Sequence, residues 1–220
     1  MKCFIITACV LGLLSSCTKD NASPKVEEIK KGSKWGIEIG KSAATIYGQL
    51  QKLSTEKKFN EVEPVGIQTF NSLEEVGERI FLYSGITLEN KNNVYTDRII
   101  IQFNADSIAG IMVGGSIPDI VSRWPENIPE EKAIASGEKL ADTYSRLSAI
   151  YATGMLDDYT LRLGFKSLDK PFDNALSGFE RWHFVFFENG GRNRSTVDLY
   201  FQEGVLKKIV HESAEFELYY

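Results

Sequence analysis

His183 and His211 are the natural starting point for chemistry, because imidazole is the side chain that titrates near neutral pH. Both stand inside runs of period-two apolar alternation, Arg181 to Glu188 and Val205 to Glu212, which are strand patterns. His211-Glu212 is followed by Ser213-Ala214-Glu215, so the i, i+4 histidine pair of a helical metalloprotease is missing. Two histidines without a cysteine make a poor zinc set. The neighbouring carboxylates Asp157-Asp158 and Glu74-Glu75 point in different directions, and acidic pairs at helix starts serve as caps. Gly114-Gly115-Ser116 has the glycines of an anion cradle, yet no basic residue or helix start accompanies it, and no Gly-x-Ser-x-Gly elbow occurs. No catalytic residue, metal ligand or cofactor is therefore expected, and the chain is read as a non-enzyme.

The cysteines carry a different chemistry. Met1 to Cys17 reads MKCFIITACVLGLLSSC, with Lys2 followed by an apolar run from Phe4 to Leu14. At about eleven residues that run is too short to cross a hydrocarbon core of roughly 30 Å, and it has the length of a signal h-region. Leu14-Ser15-Ser16-Cys17 resembles the bacterial lipobox, which implies cleavage after Ser16 and a diacylglycerol on the Cys17 sulfur. Two or three acyl chains hold a protein on a bilayer where one does so only marginally. Cys3 and Cys9 leave with residues 1–16, so no thiol remains for a disulfide, a zinc site or a nucleophile. The expected location is the bacterial cell envelope, lipid-anchored on the outer membrane, facing the periplasm or the cell surface.

The chain has 25 basic and 30 acidic residues, a net charge of −5, which becomes −6 once the leader's single lysine is removed. A mildly acidic surface does not suit nucleic acid, whose phosphates need clustered Lys and Arg. Residues 17–33 read CTKDNASPKVEEIKKGS, polar and charged, and are assigned as a lipidated flexible tether.

A self-similarity at a spacing of 97 to 99 residues organises the rest. Gly40, Ala44, Tyr47 and Leu50 line up with Gly137, Ala141, Tyr144 and Leu147; Val65-Gly66 with Leu163-Gly164; and Phe103, Ile108 and Ile111 with Phe201, Leu206 and Ile209. Each copy opens on a glycine and a helix, 41 to 53 and 138 to 152, with one apolar stripe. Period-two runs follow: 79 to 88, 95 to 103 and 107 to 113 in the first copy, 181 to 188, 195 to 202 and 205 to 212 in the second. A helix and an antiparallel meander each need one covered face, and packing them together answers both needs. The expected class is α+β: two similar modules, each an N-terminal helical segment on an antiparallel meander sheet of three to four strands. The modules are placed at 34–116 and 133–220, joined by a connector at 117–132 in which Pro118, Pro125 and Pro129 interrupt regular structure and Trp124 is an anchor.

The glycine-helix-loop-strand order, the aromatic run Trp182-His183-Phe184-Val185-Phe186 and the closing Phe201-x-x-Gly204-x-Leu206-x-x-Ile209 resemble the small outer-membrane lipoprotein modules of the SmpA/OmlA type. In tandem such modules resemble the secreted β-lactamase inhibitory protein fold. The resemblance covers roughly residues 35 to 217 and implies protein binding without chemistry, as a scaffold or an inhibitor; the family's glycine-x-proline after the first helix and the inhibitor's disulfides are lacking. The expected partner is an envelope or extracellular protein. Trp182, Phe184, Tyr200 and Trp124 are the candidate binding surface, since a few rigid rings dominate many interfaces. The alternative is a small-ligand or glycan-binding lipoprotein serving nutrient capture.

Overall fold

The computed structural model describes residues 24–66, 68–93 and 97–215. The signal sequence 1–16, Cys17 and the tether as far as residue 23 lie outside the described residues. One series of elements runs β1 (Lys25–Ile29), β2 (Ser33–Lys34), β3 (Ile37–Glu38), α1 (Ala43–Lys57), β4 (Glu61–Val65), β5 (Thr69–Phe70), a 3₁₀ turn (Gly77–Leu82), β6 (Gly85–Asn90), β7 (Arg98–Asn104) and β8 (Ser107–Val113). A second runs in the same order: β9 (Asp119–Val121), β10 (Arg123–Trp124), β11 (Ile134–Ala135), α2 (Leu140–Tyr151), β12 (Tyr159–Leu163), β13 (Lys166–Ser167), a 3₁₀ turn (Asn174–Gly178), β14 (Arg181–Glu188), β15 (Asn193–Gln202) and β16 (Val205–Glu215).

Local chemistry explains the helices. The Ser42 hydroxyl accepts from the Thr45 N–H at 3.3 Å and caps α1, and Lys58 closes it in the left-handed region with its N–H on Ser54 O. Ala43, Ile46, Tyr47, Leu50 and Leu53 form the buried stripe of α1; Leu140, Thr143, Leu147 and Ile150 form that of α2. Tyr144 and Tyr151 sit at the half-buried margin of the second stripe.

Two six-stranded antiparallel sheets result. The terminal sheet runs β1-β16-β15-β14-β4-β13 and the central sheet β5-β12-β6-β7-β8-β9. This overturns the expected class: strand accounts for 44 % of the structure and helix for 23 %, so the protein is mostly antiparallel β-sheet, and neither helix packs on its own meander. Helix α1 buries Ile46, Tyr47, Leu50 and Leu53 against Trp182, Phe184, Phe186, Val197, Leu199 and Ile209 of β14 to β16. Helix α2 buries Leu140, Leu147 and Ile150 against Ile86, Leu88, Ile99, Ile101 and Ile111 of β6 to β8. The strands after the helices make the same exchange. Val65 of β4 pairs Arg181 of β14, and Leu161 of β12 pairs Leu88 of β6.

The chain crosses between sheets where two glycines meet. Gly164 donates its N–H to Gly85 O at 2.8 Å, and a Cβ on Gly164 would stand 3.1 Å from that oxygen. A Cβ on Gly85 would stand 2.5 Å from Ile101 O, so Gly85 admits no side chain without a backbone shift, while Gly164 is tight.

Two further expectations change. Residues 25–29, assigned to the tether, form edge strand β1 along β16, with Val26 and Glu28 opposite Glu212 and Val210, and Ile29 packed on the terminal core. The connector contains strands β9 and β10. The packing units are therefore 69–163 around the central core, and 25–65 with 166–215 around the terminal core.

Candidate functional site

The expected surface residues are largely interior. Trp182 is 0 % exposed, Phe184 2 % and Trp124 8 %, and the Trp182 indole N–H donates to Leu176 O at 3.2 Å. Only Tyr200 lies on the opposite face of its strand, half-buried under the Lys208 ammonium, 4.3 Å from its ring centroid. Alternation decides this: Trp182, Phe184 and Phe186 share the parity that meets α1, whereas Arg181, His183 and Val185 face away from it.

The open faces of the two sheets differ. On the terminal sheet, cross-strand register sets Glu63, His183, Asp198 and Val210 in one row, with His183 Nδ1 3.1 Å from Asp198 Oδ1. On the central sheet the row is Arg162, Thr87, Ile100, Met112 and Ile120. Its end at edge strand β9 is bare: Ile120 is 83 % exposed and nearby Ile117 93 %. Isolated surface hydrophobics mean little, but an apolar row on a sheet face, continued to its edge, marks an interaction surface.

A groove of about 850 Å³ lies where this face meets β4 of the terminal sheet. Its floor includes Thr87, Ile100 and Gln102, and its β4 wall carries Glu61, Glu63 and Val65. Phe165 and Phe179 stand at the crossing, Phe165 at 43 % exposure. Arg162 pairs with Glu89 at 2.9 Å, and Arg98, opposite Glu89 in register, donates to Gly115 O at 3.2 Å. Burial pushes the Glu61 carboxyl above its usual range and the Glu63 charge pushes the same way, against a hydrogen bond with Ser84.

A second polar cluster joins the two units and is mostly buried, with Arg79 partly exposed at its margin. Asp173, 6 % exposed, accepts from Arg79 Nε at 2.9 Å, Tyr83 Oη at 2.7 Å and Ala175 N at 3.0 Å. Burial alone would raise its pKa, but these donors hold it below the usual carboxylate range. Lys166, 0 % exposed, donates to Tyr47 Oη and to Ser167 O, each at 2.7 Å. Burial draws the lysine down to about 8, with Asp173 and Asp169 pulling the other way. A perturbed lysine in a cleft would be a candidate nucleophile, but this one is sealed in and serves as a joint.

His211 Nε2 lies 3.0 Å from Ser195 Oγ, with Trp35 edge-on to its ring, and burial lowers its pKa. Asp157-Asp158, Glu74-Glu75 and Gly114-Gly115-Ser116 are not brought together at one site. Among the described residues no three His, Cys, Asp or Glu side chains converge as metal ligands, and no helix is long and apolar enough to cross a membrane.

Sequence reasoning missed Glu61, Glu63, Ile100, Phe165 and Arg162. The signal for Ile100 was available in Ile99-Ile100-Ile101, an unbroken apolar run in which one parity has to face away from the core. Nothing local to Glu61-Val62-Glu63 announced a groove, because its floor comes from the other sheet. Comparison with family models, with curated proteins and with solved structures finds no match.

Proposed function

We propose that the protein is a lipid-anchored component of a bacterial cell envelope that grips another envelope protein and performs no reaction itself. One observation carries the reading: the solvent face of the central sheet bears the row Thr87, Ile100, Met112 and Ile120, which runs from the groove to an uncovered edge. Rigid, half-exposed apolar groups beside a polar rim are what a protein interface needs. The lipobox-like Leu14-Ser15-Ser16-Cys17 supports the anchor, and the likeness to SmpA/OmlA-type lipoproteins agrees with a binding role.

The test is capture from detergent-solubilised envelope with the full acylated chain and with Ile100→Glu. A defined protein held by the first and lost by the second, at unchanged thermal midpoint, supports the reading; equal capture by both sinks it.

A second reading, a small-ligand or glycan-binding lipoprotein, draws on the groove's size and on Phe165 and Phe179 standing near Gln68, Gln102 and Glu63. A thermal-shift screen separates the two, since a ligand raises the midpoint of the isolated chain.

A further inference from the structure

Resting on the reading of the groove as a protein-binding site, we infer that the bound segment presents a lysine or arginine, whose cation seats between Glu61 and Glu63 on the β4 wall. The charge pattern of the lining points there. Glu89 is already taken by Arg162 at 2.9 Å, and Arg98 is held by the Gly115 carbonyl. Glu61 shares a hydrogen bond with Ser84 and Glu63 feels the Arg181 charge, but neither carboxylate has a salt bridge within 4.0 Å among the described residues, Arg181 being directed to Asp198 at 3.9 Å. The two alternate with buried Val62, so both leave the same side of β4, with Cα atoms about 7 Å apart by strand geometry. One ammonium or guanidinium fits between carboxylates so placed.

The surroundings suit the rest of such a side chain. Val65, Phe165 and Phe179 line the groove beside the acidic pair, which gives an aliphatic stem apolar cover while its charged head meets the carboxylates. Burial already raises the Glu61 pKa, so an arriving cation relieves a desolvated charge. A divalent metal is a poorer occupant, because calcium takes six to eight oxygens and among the described residues no third carboxylate joins this pair.

The probe is a pair of short blocked peptides of alternating valine and threonine that differ at one central position, lysine against glutamine. Each is titrated by fluorescence anisotropy into the full chain, into Glu61→Gln/Glu63→Gln and into Ile100→Glu. The lysine peptide is expected to bind at least about tenfold tighter than the glutamine peptide, a gap that closes in the Glu61→Gln/Glu63→Gln chain and narrows with salt. Should the double variant fold poorly, Glu63→Gln alone, at an exposed position, reads the same gap. Equal binding of both peptides, lost in Ile100→Glu, would leave the groove reading standing and overturn the cation; binding by neither peptide would overturn both.

Discussion

The Lys166 ammonium lies 2.7 Å from the Tyr47 hydroxyl, which in turn faces the Ser167 and Lys170 carbonyls at 2.7 and 2.9 Å. Helix α1 is thereby fastened to strand β13, which follows it by more than a hundred positions in the chain. Burial sets the energetics of this contact: the lysine sits near 8 when folded and near its ordinary 10.5 when unfolded. Between those values the unfolded chain binds the extra proton, so stability climbs as pH rises from about 8 towards 10, by about 2 kcal/mol. Above about 10 the trend reverses, because burial also raises the pKa values of Tyr47 and Tyr83, and unfolded tyrosines lose their protons first. Urea denaturation across this range checks the climb, and Lys166→Met should abolish it.

Asp173 governs the acid side. Its folded pKa is depressed, so its contribution is complete above the unfolded value near 3.9 and is lost as pH falls through the lower folded one. Asp173→Asn is expected to cost about 1–3 kcal/mol at neutral pH by leaving Arg79 and Tyr83 without their charged acceptor. The loss should shrink in acid, which denaturation at low pH would reveal.

The glycine crossing makes a steric prediction. Gly85→Ala places a methyl 2.5 Å from a backbone oxygen, and the backbone has to move. A loss of about 1–3 kcal/mol with an unchanged denaturant slope is expected. Gly164→Ala, with more room, should cost less.

Trp182 and Phe165 separate core from surface. Trp182→Ala removes a fully buried side chain and should cost about 3–5 kcal/mol. Phe165→Ala should shift stability by no more than about 1 kcal/mol yet weaken capture of the partner, measured as thermal midpoint against retained protein.

Much of the fold was legible in local pattern. The stripe of Tyr47, Leu50 and Leu53 and the alternation of Arg181 to Glu188 mark a helix and a strand at the places where the structure has them. What local pattern cannot convey is which covered face meets which cover. An amphipathic stripe states that it needs burial, and Trp182 on β14 satisfies α1 as well as any strand of the first meander would. Short strands such as Glu61–Val65 and Lys25–Ile29 were also hidden, because a Pro64 or a charge run masks alternation in five residues. The groove suffered most, since its walls come from segments that only the exchange brings together.

The two units differ in how they can be completed as the polypeptide emerges. The central one is a single uninterrupted stretch and closes once β12 has appeared, whereas α1 is made early and its cover, β14 to β16, is made last. Throughout that interval Ile46, Leu50 and Leu53 have no sheet to lie on. Such a bare apolar stripe is open to wrong contacts until the final hairpin arrives.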